Sequence, residues 1–241
     1  MADLSTPESV SIRVDGATMP ADLYLPESGE GPGMVVYQEI FGVTDYISSR
    51  ARDLAALGYV VLVPHLYHRL GDEVVQEGGE GLPRAMELMN EFDWEQGVKD
   101  GVAALAAVRA RDEVRGPAGV IGFCFGGGMA FNVAAAAKAD RAAPDALVSY
   151  YGSALPNLLE LAPEVTSPSL HHFGTADDYI PMDKVEAIEA AVTAGNDDVS
   201  FLTYEGAGHA FDNPSPMFHH EAASSQAWVA TESFLLEKLP V

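Results

Sequence analysis

Apolar and polar residues alternate over 10–14 and again over 18–25, with Asp15-Gly16 between the two stretches. A period of two interrupted by Asp-Gly predicts an antiparallel hairpin, placed at one edge of a sheet. The pattern then changes. A short apolar run at 34–38 is followed by helical spacing over 44–57, with Gly58 as its stop, and by a second apolar run at 59–63 closed by Pro64. Strand, helix and strand in that order build a parallel sheet. The segment 71–81 is glycine-rich and acidic with little to bury, so it predicts a surface excursion ahead of a helix from about Pro83. Helical spacing returns over 94–111, and an apolar strand follows at 120–123. Further strands are predicted at 146–151, 169–173 and 199–204, and helices at 183–194 and 219–239. No internal repeat and no linker divides the chain, so 1–241 reads as one domain. Its fold class is α/β, with a mostly parallel central sheet, helices on both faces and sites at the carboxyl ends of the strands.

One stretch combines this architecture with chemistry. In Gly122-Phe123-Cys124-Phe125-Gly126-Gly127 an apolar strand runs into glycines and then into a helix that carries the Ala-rich run 134–137. This is the Gly-x-nucleophile-x-Gly corner, in which a sharp turn lifts one side chain above the sheet, here with a thiol in place of a hydroxyl. The helix behind the corner aims free N–H groups and a partial positive charge at the sulfur. The competing reading is a small buried core residue, and the glycines argue against it.

A thiol nucleophile needs a base and a group that orients the base. Downstream, the strand 169–173 is followed by Gly174-Thr175-Ala176-Asp177, with Asp178 as the fallback acid. The strand 199–204 is followed by Glu205-Gly206-Ala207-Gly208-His209. Nucleophile, acid and histidine thus follow one another, each just past a strand, in the order used by α/β-hydrolases. The remaining histidines fit less well. His171 and His172 are adjacent on a strand and point to opposite faces, and His219 and His220 stand at a helix start beside Glu221. None of these pairs has His-x-x-x-His spacing, so neither a metal nor a cofactor is expected.

Composition narrows the partners. The 241 residues include 36 acidic and 13 basic side chains, a formal charge of −23, which argues against nucleic acid and against an anionic membrane surface. No apolar stretch has transmembrane length, and the start of the chain carries no secretory pattern. A single cysteine excludes an internal disulfide and agrees with a cytoplasmic location.

Several pieces together give a resemblance: Gln38-Glu39-Ile40-Phe41-Gly42, Pro64-His65-Leu66-Tyr67, Phe92-Asp93, the Cys124 corner, Tyr150-Tyr151-Gly152, Gly174 through Asp177, and Gly208-His209-Ala210-Phe211. Over nearly its whole length the chain resembles the dienelactone hydrolase (carboxymethylenebutenolidase) family of the α/β-hydrolase superfamily. The resemblance implies a cysteine-dependent hydrolase of small esters or lactones that works through a thioester, as a monomer or small homo-oligomer. It implies a triad of Cys124, Asp177 and His209, and a buried Glu39 that contacts the resting thiol and moves when substrate arrives. The oxyanion hole falls on the backbone N–H groups of Ile40 and Phe125. Arg84, Arg69, Tyr151 and Phe41 are the candidates for substrate binding. There is a departure as well: the positions where family members place carboxylate-binding arginines carry Leu82 or its neighbours and Asn213. Arg84 replaces the first with a shifted register, and Arg69 either contacts an anion or closes a loop on Asp72 or Glu73. The alternative readings on the same fold are a non-catalytic ligand-binding protein and a thiol redox sensor, the latter without a second cysteine to resolve an oxidised one.

Overall fold

The computed structural model describes residues 6–71, 73–138 and 142–241. The first residues of the chain and Asp72 therefore lie outside the described residues. The hairpin forms as predicted: β1 (Glu8–Val14) and β2 (Ala17–Tyr24) pair antiparallel around Asp15-Gly16, and β1 is a sheet edge. The chain continues through β3 (Gly31–Tyr37), α1 (Asp45–Ala56), β4 (Val60–Pro64), α2 (Leu82–Glu91), α3 (Trp94–Arg109) and β5 (Val114–Phe123). It ends with α4 (Phe125–Lys138), β6 (Leu147–Tyr150), β7 (Ser169–Gly174), α5 (Met182–Thr193), β8 (Val199–Tyr204) and α6 (Glu221–Lys238). The strands form one sheet in the order β1-β2-β4-β3-β5-β6-β7-β8, parallel from β4 to β8.

Burial explains the two kinds of strand pattern. β3, β4 and β7 lie inside the sheet and are almost wholly buried, so they read as unbroken apolar runs, whereas β1 and β8 at the edges alternate. The sheet grows in one direction from β3 to β4 and in the other from β3 to β5. Right-handed crossovers then place α1 on one face and α3, α4 and α5 on the other. α6 joins α1, with the Trp228 ring 4.3 Å from the Arg50 guanidinium. The reversal opens a crevice beyond the ends of β3 and β5, where ligands of such sheets bind. Glu39 and Cys124 stand at those two ends.

Some boundaries differ from the sequence reading. β5 starts at Val114 because its exposed first residues pair with Gly31 through a bulge, and an exposed start has no apolar pattern to read. α6 begins only at Glu221, with His220 as its cap, accepting the Ala223 N–H at 3.2 Å. Short 3-10 turns at Leu66–Leu70, Leu155–Asn157 and Leu159–Glu164 carried no periodicity. The excursion at 71–81 is also less superficial than its composition suggests: Val75 is buried and its N–H donates to the Phe41 carbonyl. His171 and His172 do face opposite ways and are fully buried. Burial pushes them down to about 4 and about 3, so both are neutral core residues.

Candidate active site

The corner at Cys124 is built by collision avoidance. A Cβ on Gly122 would strike the Gly126 carbonyl, and one on Gly126 would strike the carbonyls of Tyr37 and Gln38, so strand β5 and helix α4 close on each other only through glycine. Cys124 itself has φ +54, a left-handed conformation unusual for a residue with a side chain. Its N–H donates to Tyr150, and its carbonyl receives the N–H groups of Gly127 and Ser153, each at 3.0 Å. These bonds hold the strained backbone in place.

The side chains foreseen from chain order meet here. His209 Nε2 is 3.1 Å from Cys124 Sγ, and His209 Nδ1 donates to Asp177 Oδ2 at 2.8 Å. The other oxygen of Asp177 accepts the N–H groups of Tyr179 and Ile180, at 2.8 and 2.9 Å, so the fully buried carboxylate is fixed on three sides. Asp178 instead lines the cavity. Burial alone disfavours an imidazolium at His209, but the adjoining sulfur and the Asp177 carboxylate outweigh it and hold His209 well above its ordinary value. The arrangement can move a proton off the thiol and return it.

Glu39 is buried beside this line. Its Oε2 accepts the Asn213 amide at 2.7 Å, and its Oε1 has no hydrogen-bond partner among the described residues. Its bond therefore goes to Asn213 and not to the thiol. Burial, reinforced by the charge of Glu77 and opposed by the Asn213 hydrogen bond, pushes Glu39 up to about 8. Asn213 Nδ2 also lies 3.3 Å from Glu77 Oε1, which accepts the Thr44 hydroxyl at 2.6 Å. Glu77 was missed, since one acid in an acidic segment carries no distinguishing signal. Asn213 was noticed only as a missing arginine, although its place four residues past His209 pointed to the site.

The substrate-binding candidates fare differently. Arg84 turns outward, with Nη2 2.8 Å from Glu73 and Nη1 3.0 Å from Glu87. Arg69 pairs with the buried Asp100 at 2.9 Å and borders a separate small cavity. Both are corrected as contacts to the cavity above Cys124, because carboxylates of this acidic chain have already claimed them. Tyr151 is fully buried, its hydroxyl 3.1 Å from that of Tyr46 and its ring packed against His209. Phe41 is buried against Phe218. These two shape the walls from behind. Ile40 does line the cavity, and Phe125 opens α4, where first-turn N–H groups have no helical acceptor.

The His209 loop is anchored from below. Asp212, buried, accepts Arg50 at 2.5 and 2.8 Å, the Tyr46 hydroxyl at 2.6 Å and the Ser224 hydroxyl at 2.7 Å. Above Cys124 and His209 opens a cavity of about 690 Å³. Among the described residues no group of His, Cys, Asp and Glu is arranged to hold a metal, and no helix is long and apolar enough to cross a membrane.

Residues 19–239 match the dienelactone hydrolase family. A carboxymethylenebutenolidase of Pseudomonas putida is 34% identical over 223 residues, covering 91% of this chain and 92% of its own. Carboxymethylenebutenolidase 1 of Cupriavidus pinatubonensis is 32% identical over 222 residues, with 91% and 92% covered. The crystal structure of a dienelactone hydrolase-like promiscuous phosphotriesterase from metagenomic libraries superposes with a TM-score of 0.81 at 26% identity, covering 97% of this chain and 98% of that one. With the match running from the second strand to the end of the last helix, the chain belongs to the dienelactone hydrolase family.

Proposed function

We propose that this chain hydrolyses small carboxylic esters or lactones with Cys124 as the nucleophile. The observation that carries this reading is the continuous line from Cys124 Sγ through the His209 ring to Asp177 at the floor of an open cavity. His209 Nε2 takes the thiol proton as Sγ attacks the carbonyl carbon, forming the carbon–sulfur bond. The oxyanion accepts hydrogen bonds from the backbone N–H groups of Ile40 and Phe125. Collapse breaks the carbon–oxygen bond, and the departing alkoxide takes the proton from the imidazolium. Water, deprotonated by His209, then attacks the thioester, releasing the acid and restoring the thiol. Asp177 fixes the tautomer throughout.

Glu39 is assigned the part of a guard on the resting thiol, while the thiol proton itself passes to His209. In the resting site its own proton, held by burial, keeps a second negative charge away from the sulfur. The same reading places the protein in the cytoplasm, where reducing conditions keep Cys124 a thiol, as a monomer or small homo-oligomer without a cofactor.

The test is a panel of short p-nitrophenyl esters and simple lactones, with Cys124→Ala as the comparison. Turnover by the native chain should fall by roughly a thousandfold or more in the variant at unchanged circular dichroism, and a brief quench should trap an acyl group on Cys124. A Cys124→Ala protein with full activity overturns the reading.

A further inference from the structure

The cleft over Cys124 has two lobes. The larger, of about 690 Å³, takes its walls from Leu82, Met86 and Met89 of α2 and from Met217 and Phe218 of the loop before α6. The smaller, of about 330 Å³, is lined by Phe92, Trp94, Phe125 and Leu158. Met89, Ser153 and Tyr179 border both lobes, so the two adjoin beside the nucleophile. The rim is apolar too: Tyr179 and Met217 expose more than half of their surface at the mouth. An exposed apolar rim leading into an apolar cleft marks a binding surface for an apolar ligand.

Apart from the backbone N–H groups assigned to the oxyanion beside Cys124, no cationic side chain of the cleft is set to hold an anion. Among the described residues lining the two lobes there is no lysine and no arginine. Arg84, two residues past Leu82 on α2 and so on the opposite face, spends its guanidinium on Glu73 and Glu87, and Arg69 spends its own on Asp100. The Asn213 amide is turned inward to Glu39 and Glu77. The titratable side chains that do line the larger lobe, besides Cys124, are Asp178, Tyr179, His209, His219 and His220. Of these, Asp178 repels an anion, His209 is committed to Asp177, and His220 offers a ring nitrogen to the Ala223 N–H. The chain as a whole carries −23.

We infer that the substrate is an uncharged carboxylic ester or lactone with an apolar group on each side of the scissile bond, one for each lobe, and that a carboxylate on the substrate is selected against. The inference rests on the hydrolase reading and goes beyond it by setting the substrate class. A carboxylate entering this cleft gives up its water for methionine and aromatic surface, with no cation to replace it. An apolar group of the same length gains from that surface. Discrimination arises from the missing partner, not from size.

The experiment compares p-nitrophenyl hexanoate with the p-nitrophenyl monoester of adipic acid, two substrates of one chain length that differ in a terminal methyl or carboxylate. Both substrates are compared at one fixed pH, and His209, although held above its ordinary value, is committed to Asp177 and does not serve as a free cation for a distal carboxylate. The uncharged ester should show the higher kcat/KM by about tenfold or more. Met86→Arg, which adds a cation to the larger lobe, should shift the ratio towards the acid by about tenfold. Trp94→Ser should cost an aryl ester more than a methyl ester of the same acid, as the smaller lobe loses its ring. Equal or better turnover of the adipate monoester by the native chain overturns the inference and leaves the hydrolase reading standing. No turnover of any ester, with Cys124→Ala indistinguishable from the native chain, overturns both.

Discussion

Two buried carboxylates stand within the site, each just past the end of a strand, and the protein treats them in opposite ways. Asp177 has both oxygens engaged, one by two backbone N–H groups and one by His209. Glu39 has one oxygen engaged by an amide and the other, among the described residues, by nothing. A carboxylate saturated with fixed donors acts as a permanent acceptor, and one left short of donors in an apolar place holds a proton. The lesson is that the same functional group becomes a rigid orienter or an exchangeable acid according to how many N–H groups the fold aims at it.

That contrast can be broken from either side. Asp177→Asn should have the largest effect, because an amide stabilises the wrong imidazole tautomer: kcat is expected to drop by roughly 10³ to 10⁴ with the fold intact, as steady-state kinetics and circular dichroism will show. Glu39→Gln removes the exchangeable proton but keeps the shape, and should lower kcat by roughly ten- to a hundredfold while erasing any limb of the pH–rate profile near 8.

The stability effect of the same variant has a defined sign. Glu39 is raised from the ordinary carboxyl range to about 8, so between these values the folded chain binds the extra proton, and native stability falls as pH rises through that window. Glu39→Gln should therefore gain stability relative to the native chain from about pH 4.5 upward and level off above about pH 8, as denaturant titrations across pH will show. Asn213→Ala strips Glu39 of its remaining donor. Because that hydrogen bond lowers the Glu39 value, its loss should move the upper limb of the profile to higher pH, with a several-fold loss in kcat. The smallest effect is expected at Arg84, which faces solvent and two glutamates: Arg84→Ala should leave kcat/KM within about twofold.

The fold was legible because its central strands are buried on both faces and its helices bury one stripe, so both periods are written plainly. The meeting of Cys124, His209 and Asp177 was legible because each follows a strand end and glycines flank Cys124 and His209. Where the reading stopped has a physical cause. Arginines were expected to meet substrate from their positions in sequence, yet in a chain with nearly three acids for each base a guanidinium finds a carboxylate close by first, as Arg69 does at Asp100 and Arg84 at Glu73. The Asp212 cluster with Arg50 and Tyr46 joins residues more than 160 positions apart, and no local pattern encodes such a meeting.

The bonds of Glu77 change what kind of segment 73–81 is. Through Val75 it is tied to the backbone at Phe41, and through Glu77 to Thr44 and Asn213, so a stretch that looks dispensable by composition is bonded to the site. Loops of this kind ordinarily absorb insertions, tags and protease cuts without harm. Here a nick or an insertion near Glu77 should be felt as altered turnover before it is felt as lost stability, which makes this segment a poor place to graft and a useful one to tune.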